Sequence, residues 1–197
     1  MKLNALLAAG LFAGVASTAT AGQSVYTATL DGSSESSPNS STGTGTAIVT
    51  IDSDQLTMRV QESFSNLAAG VTASHIHCCT SAPDTGTAGV ATTTPTFTDF
   101  PSGVMSGTYD HTFDMTQASS YNSAFITAND SVNGAFQALV AGLNAGTAYA
   151  NIHSTAFPMG EIRGFLHAAP IPEPETYAML LAGLGLIGAI ARRRNRA

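Results

Sequence analysis

The sequence predicts an all-β domain, an antiparallel β-sandwich with Greek-key-like connections and one short helical insertion. Three observations lead there. Short segments alternate apolar and polar residues with a period of two, the pattern of half-buried strands. Clusters of Ser, Thr, Gly, Asp and Pro separate them at short intervals, as tight turns require. Charged residues make up only 10% of the 197-residue chain, and Trp is absent; such a composition suits an extracellular β domain.

Val25 to Leu30 alternates and reads as the first strand, followed by a Ser-rich loop from Asp31 to Ser41. Thr44 to Ile51 and Gln55 to Ser63 are two alternating runs around Asp52-Ser53-Asp54, a hairpin signal. Ala73 to Cys78 is a further short strand. Ala82 to Asp99 is rich in turn formers, with room for one short strand near Gly89 to Thr94, and Gly103 to Phe113 offers another. The period then changes. Phe136, Leu139, Val140 and Leu143 recur at helical spacing with Ser131 placed to cap the start, and Gln117 to Thr127 reads as a weaker helix. Strands resume at Ala148 to His153 and at Glu161 to His167. Strand parity puts Ile76, Ile152, Ile162 and Leu166 in the core.

The two ends have a different character. Residues 1–21 combine a Lys2 start, an apolar stretch from Ala5 to Val15 and an Ala19-Thr20-Ala21 site. These are the parts of a secretory signal peptide cut by signal peptidase, with Gly22 as the mature start. Residues 170–197 carry Pro172-Glu173-Pro174, an apolar run and the basic cluster Arg192-Arg193-Arg194-Asn195-Arg196. The run predicts a short transmembrane helix over 176–191, marginal for a bilayer core of about 30 Å, with the arginines held on the cytoplasmic side. An ordinary single-span anchor has the same apolarity. The three elements in this order resemble the PEP-CTERM sorting signal. That resemblance implies a Gram-negative host, an exosortase-type processing partner, transient anchoring in the inner membrane and removal of the helix. It also implies a destination at the cell surface or in a biofilm matrix, with exopolysaccharide as a potential partner.

Residues 22–169 are left for one domain. The formal net charge is -6 and the basic residues concentrate in the tail, so the mature domain is acidic and unsuited to nucleic acid.

Its rare polar residues fall on particular strand faces. His75 and His77 flank Ile76 and share one face; Asn151 and His153 flank Ile152 and do the same. Glu161 and Arg163 flank Ile162, on the side away from the core. If the three strands are neighbours, these polar faces meet. One reading is a solvated face carrying a structural Glu161–Arg163 pair, which stabilises little. The other is a zinc or copper site, because imidazole suits both metals. Cys78 and Cys79 follow His77 directly, and export places them in an oxidising compartment. If the strand continues, Cys79 shares the histidine face, so His75, His77, His153 and Cys79 form the candidate ligand set. The alternatives for the cysteines stay open. A vicinal disulfide is one, although adjacent Cα atoms lie about 3.8 Å apart against a usual disulfide range of about 4.4–6.8 Å. Free or intermolecular thiols are the other.

Val71-Thr72-Ala73-Ser74-His75-Ile76-His77, Tyr149-Ala150-Asn151-Ile152-His153-Ser154 and Pro158-Met159-Gly160-Glu161-Ile162-Arg163-Gly164 resemble, in order, the three signature blocks of the CHRD domain. Tyr26 to Gly32 is similar to its opening strand. The resemblance implies a secreted β domain of the kind found in chordin, without enzymatic activity and with no catalytic residue. The expected function is therefore an exported, non-enzymatic surface or matrix module. The alternative is a copper- or zinc-binding metalloprotein, redox-active in its strongest form. A hydrolase is disfavoured, because no Gly-x-Ser-x-Gly elbow occurs.

Overall fold

The structure is a computed structural model that describes residues 22–169 without a break and, in the tail, residues 180–185, 187, 192 and 194, all helical. The expected signal peptide, Pro172-Glu173-Pro174 and most of the expected helix over 176–191 lie outside the described residues. Among the described residues no helix is long and apolar enough to cross a membrane.

Eight strands form one antiparallel sheet: β1 (Gln23–Asp31), β2 (Thr44–Asp52), β3 (Thr57–Ser65), β4 (Val71–His77), β5 (Gly107–Asp114), β6 (Tyr149–Ser154), β7 (Ile162–Phe165) and β8 (His167–Ala168). The spatial order is β4-β6-β7-β1-β2-β3-β5, with β8 also pairing β1. The sheet curls, so that the β4-β6-β7 arm faces the β2-β3-β5 arm in a sandwich-like arrangement. The Ser74 hydroxyl on β4 reaches across the interior to the Glu62 carboxylate on β3 at 2.9 Å.

Alternation explains why the sheet curls with this face inward. The β1–β2 register sets Tyr26 opposite Val49 and Ala28 opposite Ala47, and β2–β3 sets Val49 opposite Val60 and Ile51 opposite Met58. All of these are buried. A one-residue slip would turn every one of them to water. Ile76, Ile152, Ile162 and Leu166 are fully buried in the same core, as their parity predicts.

The helical insertion follows β5. Gln117 to Thr127 forms a short 3₁₀ turn and then α1 (Ser123–Ala128), shorter than its pattern suggests. The helix α2 (Val132–Asn144) is capped by Ser131, whose hydroxyl accepts from the Gly134 N–H. It buries Phe136, Leu139 and Leu143. Gly89 to Thr94 makes only isolated bridges, His77 to Val90 and Thr92 to Tyr121, instead of a strand.

Candidate metal centre

The sheet order makes β4, β6 and β7 consecutive neighbours, which local sequence does not dictate. His75 pairs across with Asn151 and His77 with Tyr149, while His153 lies opposite Ala73. On the next strand, Arg163 pairs with Asn151 and Phe165 with Tyr149. Period-two alternation therefore collects His75, His77, Tyr149, Asn151, His153 and Arg163 on one face. Ile76, Ile152 and Ile162 fill the core on the other.

The three imidazoles converge. Ring centroids are 5.7 Å apart for His75 and His77, 5.2 Å for His75 and His153, and 6.1 Å for His77 and His153. Each ring spends one nitrogen on a backbone carbonyl: His75 Nε2 on Pro95 O at 2.5 Å, His77 Nδ1 on Ala88 O at 2.9 Å and His153 Nδ1 on Pro158 O at 3.0 Å. A carbonyl only accepts, so each of these nitrogens carries the proton, and the tautomer leaves a lone pair on the other nitrogen. Those other nitrogens, His75 Nδ1, His77 Nε2 and His153 Nε2, are buried and have no hydrogen-bond partner. One ligand nitrogen from each residue lies within 4.8 Å of the other two.

The electrostatics keep the rings neutral. Burial lowers the His75 and His153 pKa values below the ordinary histidine range. Burial also pushes His77 down to about 4, helped by its histidine neighbours and by Arg163. Neutral rings with fixed tautomers and one free lone pair each are what a metal ion requires, and a carbonyl on the far nitrogen is the usual way such ligands are oriented. Zinc or copper at about 2.0–2.1 Å from each nitrogen needs them about 3.3–3.6 Å apart, so a small inward rotation of the rings would close the set.

The rest of the face forms a wall. The Tyr149 ring stacks on His77 at 4.8 Å, and Arg163 Cζ lies 4.7 Å from the same ring's centroid. Arg163 donates to Ser34 O and Gly86 O, and its Nε is 4.0 Å from the Glu35 carboxylate. Burial raises the Glu35 carboxyl to about 7 against the opposing pull of Arg163. Asn151 contacts the same carboxylate at 3.5 Å.

Two expectations are corrected. Cys79 does not join the histidines, because β4 ends at His77 and the parity argument stops there. Cys78 and Cys79 are joined by a disulfide that lies against α2, with Cys79 Sγ 3.7 Å from Ala138 O. Gly142 on that helix leaves the necessary room, since a Cβ there would stand 2.3 Å and 2.5 Å from the two sulfurs. Nor do Glu161 and Arg163 pair. Glu161 precedes β7, after Gly160 at a φ of 128°, so the strand's alternation does not reach it. Its carboxylate accepts from Ser41 Oγ and the Ala68 N–H, while Arg163 turns to Glu35.

Sequence reasoning missed Glu35 and the stacking role of Tyr149. Glu35 is the one charged residue between Gly32 and Ser41; nothing local signals that its loop folds over β7. The three carbonyls at Ala88, Pro95 and Pro158 carry no side-chain signature.

Residues 26–166 match the CHRD domain. The chain belongs to the CHRD-domain family. The CHRD span contains the three histidines, Tyr149, Arg163 and Glu35. Residues 170–195 match the PEP-CTERM protein-sorting motif, which indicates export, sorting to the cell envelope or surface and processing by an exosortase-type system. No match was found among curated proteins or among solved structures.

Proposed function

We propose that this protein is a non-enzymatic CHRD module of the cell surface or extracellular matrix, whose working chemistry is to hold one copper or zinc ion between His75, His77 and His153. The observation that carries the metal reading is the cluster itself: three histidines that each bring a ring nitrogen within 4.8 Å of the others, each with one buried, partnerless nitrogen and its ring turned by a backbone carbonyl. A solvated histidine face would leave those nitrogens in water. A purely structural one would satisfy them, because buried polar groups without partners are costly. The sorting motif supports the address. An exopolysaccharide-based matrix is the setting in which a sorted surface module of this kind would act.

Metal analysis of the mature protein recovered after export tests the reading. The expected result is about one copper or zinc ion per chain, lost in a His75→Ala/His77→Ala variant. Equal metal content in the two proteins would end the metal-site reading.

A further inference from the structure

The charge around the three nitrogens bears on which ion they accept. Three neutral imidazoles bring no negative charge. Among the described residues, the metal-competent group consists of the histidines alone, with no carboxylate and no thiolate in it. The two sulfurs that could have supplied negative charge are bonded to each other and lie against α2. A fixed positive charge stands one ring away from His77. Arg163 sits over Tyr149, its Cζ 4.7 Å from the ring centroid, and that ring stacks on His77 at 4.8 Å. Its counter-charge, Glu35, lies 4.0 Å from the Arg163 Nε and 3.5 Å from the Asn151 amide, so it offsets part of the guanidinium charge.

Taking an ion out of water costs free energy in proportion to the square of its charge, so a dication is penalised about fourfold more than a monocation. Repulsion by a neighbouring guanidinium is linear in charge and is twice as large for the dication. Coordination number acts in the same direction. Zinc takes four ligands, with water completing three-residue sites. Here the three donor nitrogens are sealed from solvent. Monovalent copper accepts three nitrogen donors in a trigonal plane without a fourth ligand.

Building on the metal-centre reading above, we propose that the tri-histidine centre selects monovalent copper over divalent zinc, and that Arg163 enforces the selection. Arg163 is a positioning and charge-setting residue here and does not ligate.

The test measures both affinities on the full mature protein, above the Glu35 pKa of about 7. Monovalent copper is titrated without oxygen against bicinchoninate, and zinc against a chromogenic chelator. Copper(I) should bind at least about a hundredfold more tightly than zinc, the scale expected when one extra unit of buried charge is left uncompensated. Arg163→Gln should improve zinc binding about tenfold more than copper(I) binding, because the dication is relieved of twice the repulsion. Glu35→Gln, which keeps the shape of the side chain, should act in the opposite direction and weaken zinc more than copper(I). The paired signs separate charge from packing: a structural defect would weaken both ions alike in both variants, and that result overturns the role of Arg163. Zinc binding as tight as copper(I) in the unmodified protein overturns the selection while leaving the centre intact. Binding of neither ion removes the centre itself, and the selection with it.

Discussion

The Tyr149 ring and the His77 imidazole lie face to face, 4.8 Å between centroids and 3° from parallel, and both are tethered to Ala88. The Ala88 carbonyl accepts from His77 Nδ1 and from the Tyr149 hydroxyl, which in turn accepts from the Ala88 N–H. One loop residue therefore fixes a ligand ring and the ring that supports it. Groups that orient a ligand without touching the metal typically affect affinity by about 10–100-fold. Tyr149→Leu should accordingly weaken metal binding by about tenfold or more with the strand content unchanged by circular dichroism. An unchanged affinity would mean that the carbonyl alone sets the His77 orientation.

Ile152 is fully buried on β6, directly behind the histidine face. Ile152→Ala should cost about 2–5 kcal/mol, the transfer loss plus the cavity it leaves. Urea denaturation measures this through the midpoint at constant slope.

Glu62 lies on β3 in line with the buried Met58, Val60 and Phe64, and Ser74 is its one side-chain partner, reached across the core. Burial raises its carboxyl from 4.5 to about 8. The folded state therefore holds a proton that the unfolded chain releases near pH 4.5. The stabilisation is fully present below that value and is lost as pH rises through about 8. At about 1.4 kcal/mol per pKa unit the effect amounts to a few kcal/mol. Glu62→Gln should flatten this part of the stability–pH curve and make the variant the more stable protein in alkaline buffer. Parallel curves for the two proteins would place the ionisation elsewhere.

His77 shifts in the other direction, from 6.5 down to about 4. The unfolded chain takes up a proton first as the solution is acidified. The contribution of His77 is thus present above 6.5 and disappears as pH falls through about 4. In the metal-free protein, an NMR titration of the His77 ring should show it neutral at pH 5, where an exposed His carries a proton. A midpoint near 6.5 would mean that the ring is solvated.

The address can be read from mass alone. Protein isolated from the native host should begin at Gly22 and lack the segment after Pro172-Glu173-Pro174. An intact mass that retains Arg192 to Arg196 would show that the tail stays on.

What the sequence determined by itself was local: alternation within each strand, the Ser131 cap, the inward set Ile76, Ile152 and Ile162, and the processing signals at the two ends. Period-two geometry is a property of any extended chain, so His75 and His77 had to share a face wherever β4 was placed. The CHRD resemblance was legible for the same reason, being a set of short blocks in order. Only the tertiary structure decided that β4, β6 and β7 are neighbours, which brings His153 to the other two rings across a separation of about 75 residues. It also decided where alternation stops. Cys79 lies past the end of β4 and Glu161 before the start of β7, and both turn to partners distant in the chain. Strand pairing, the folding of the Glu35 loop over Arg163 and the three carbonyls that orient the imidazoles are long-range hydrogen-bonding and burial choices. Their free energy comes from desolvation of the whole core and from the pairing of its polar groups, a sum over the entire domain that no short window of residues contains.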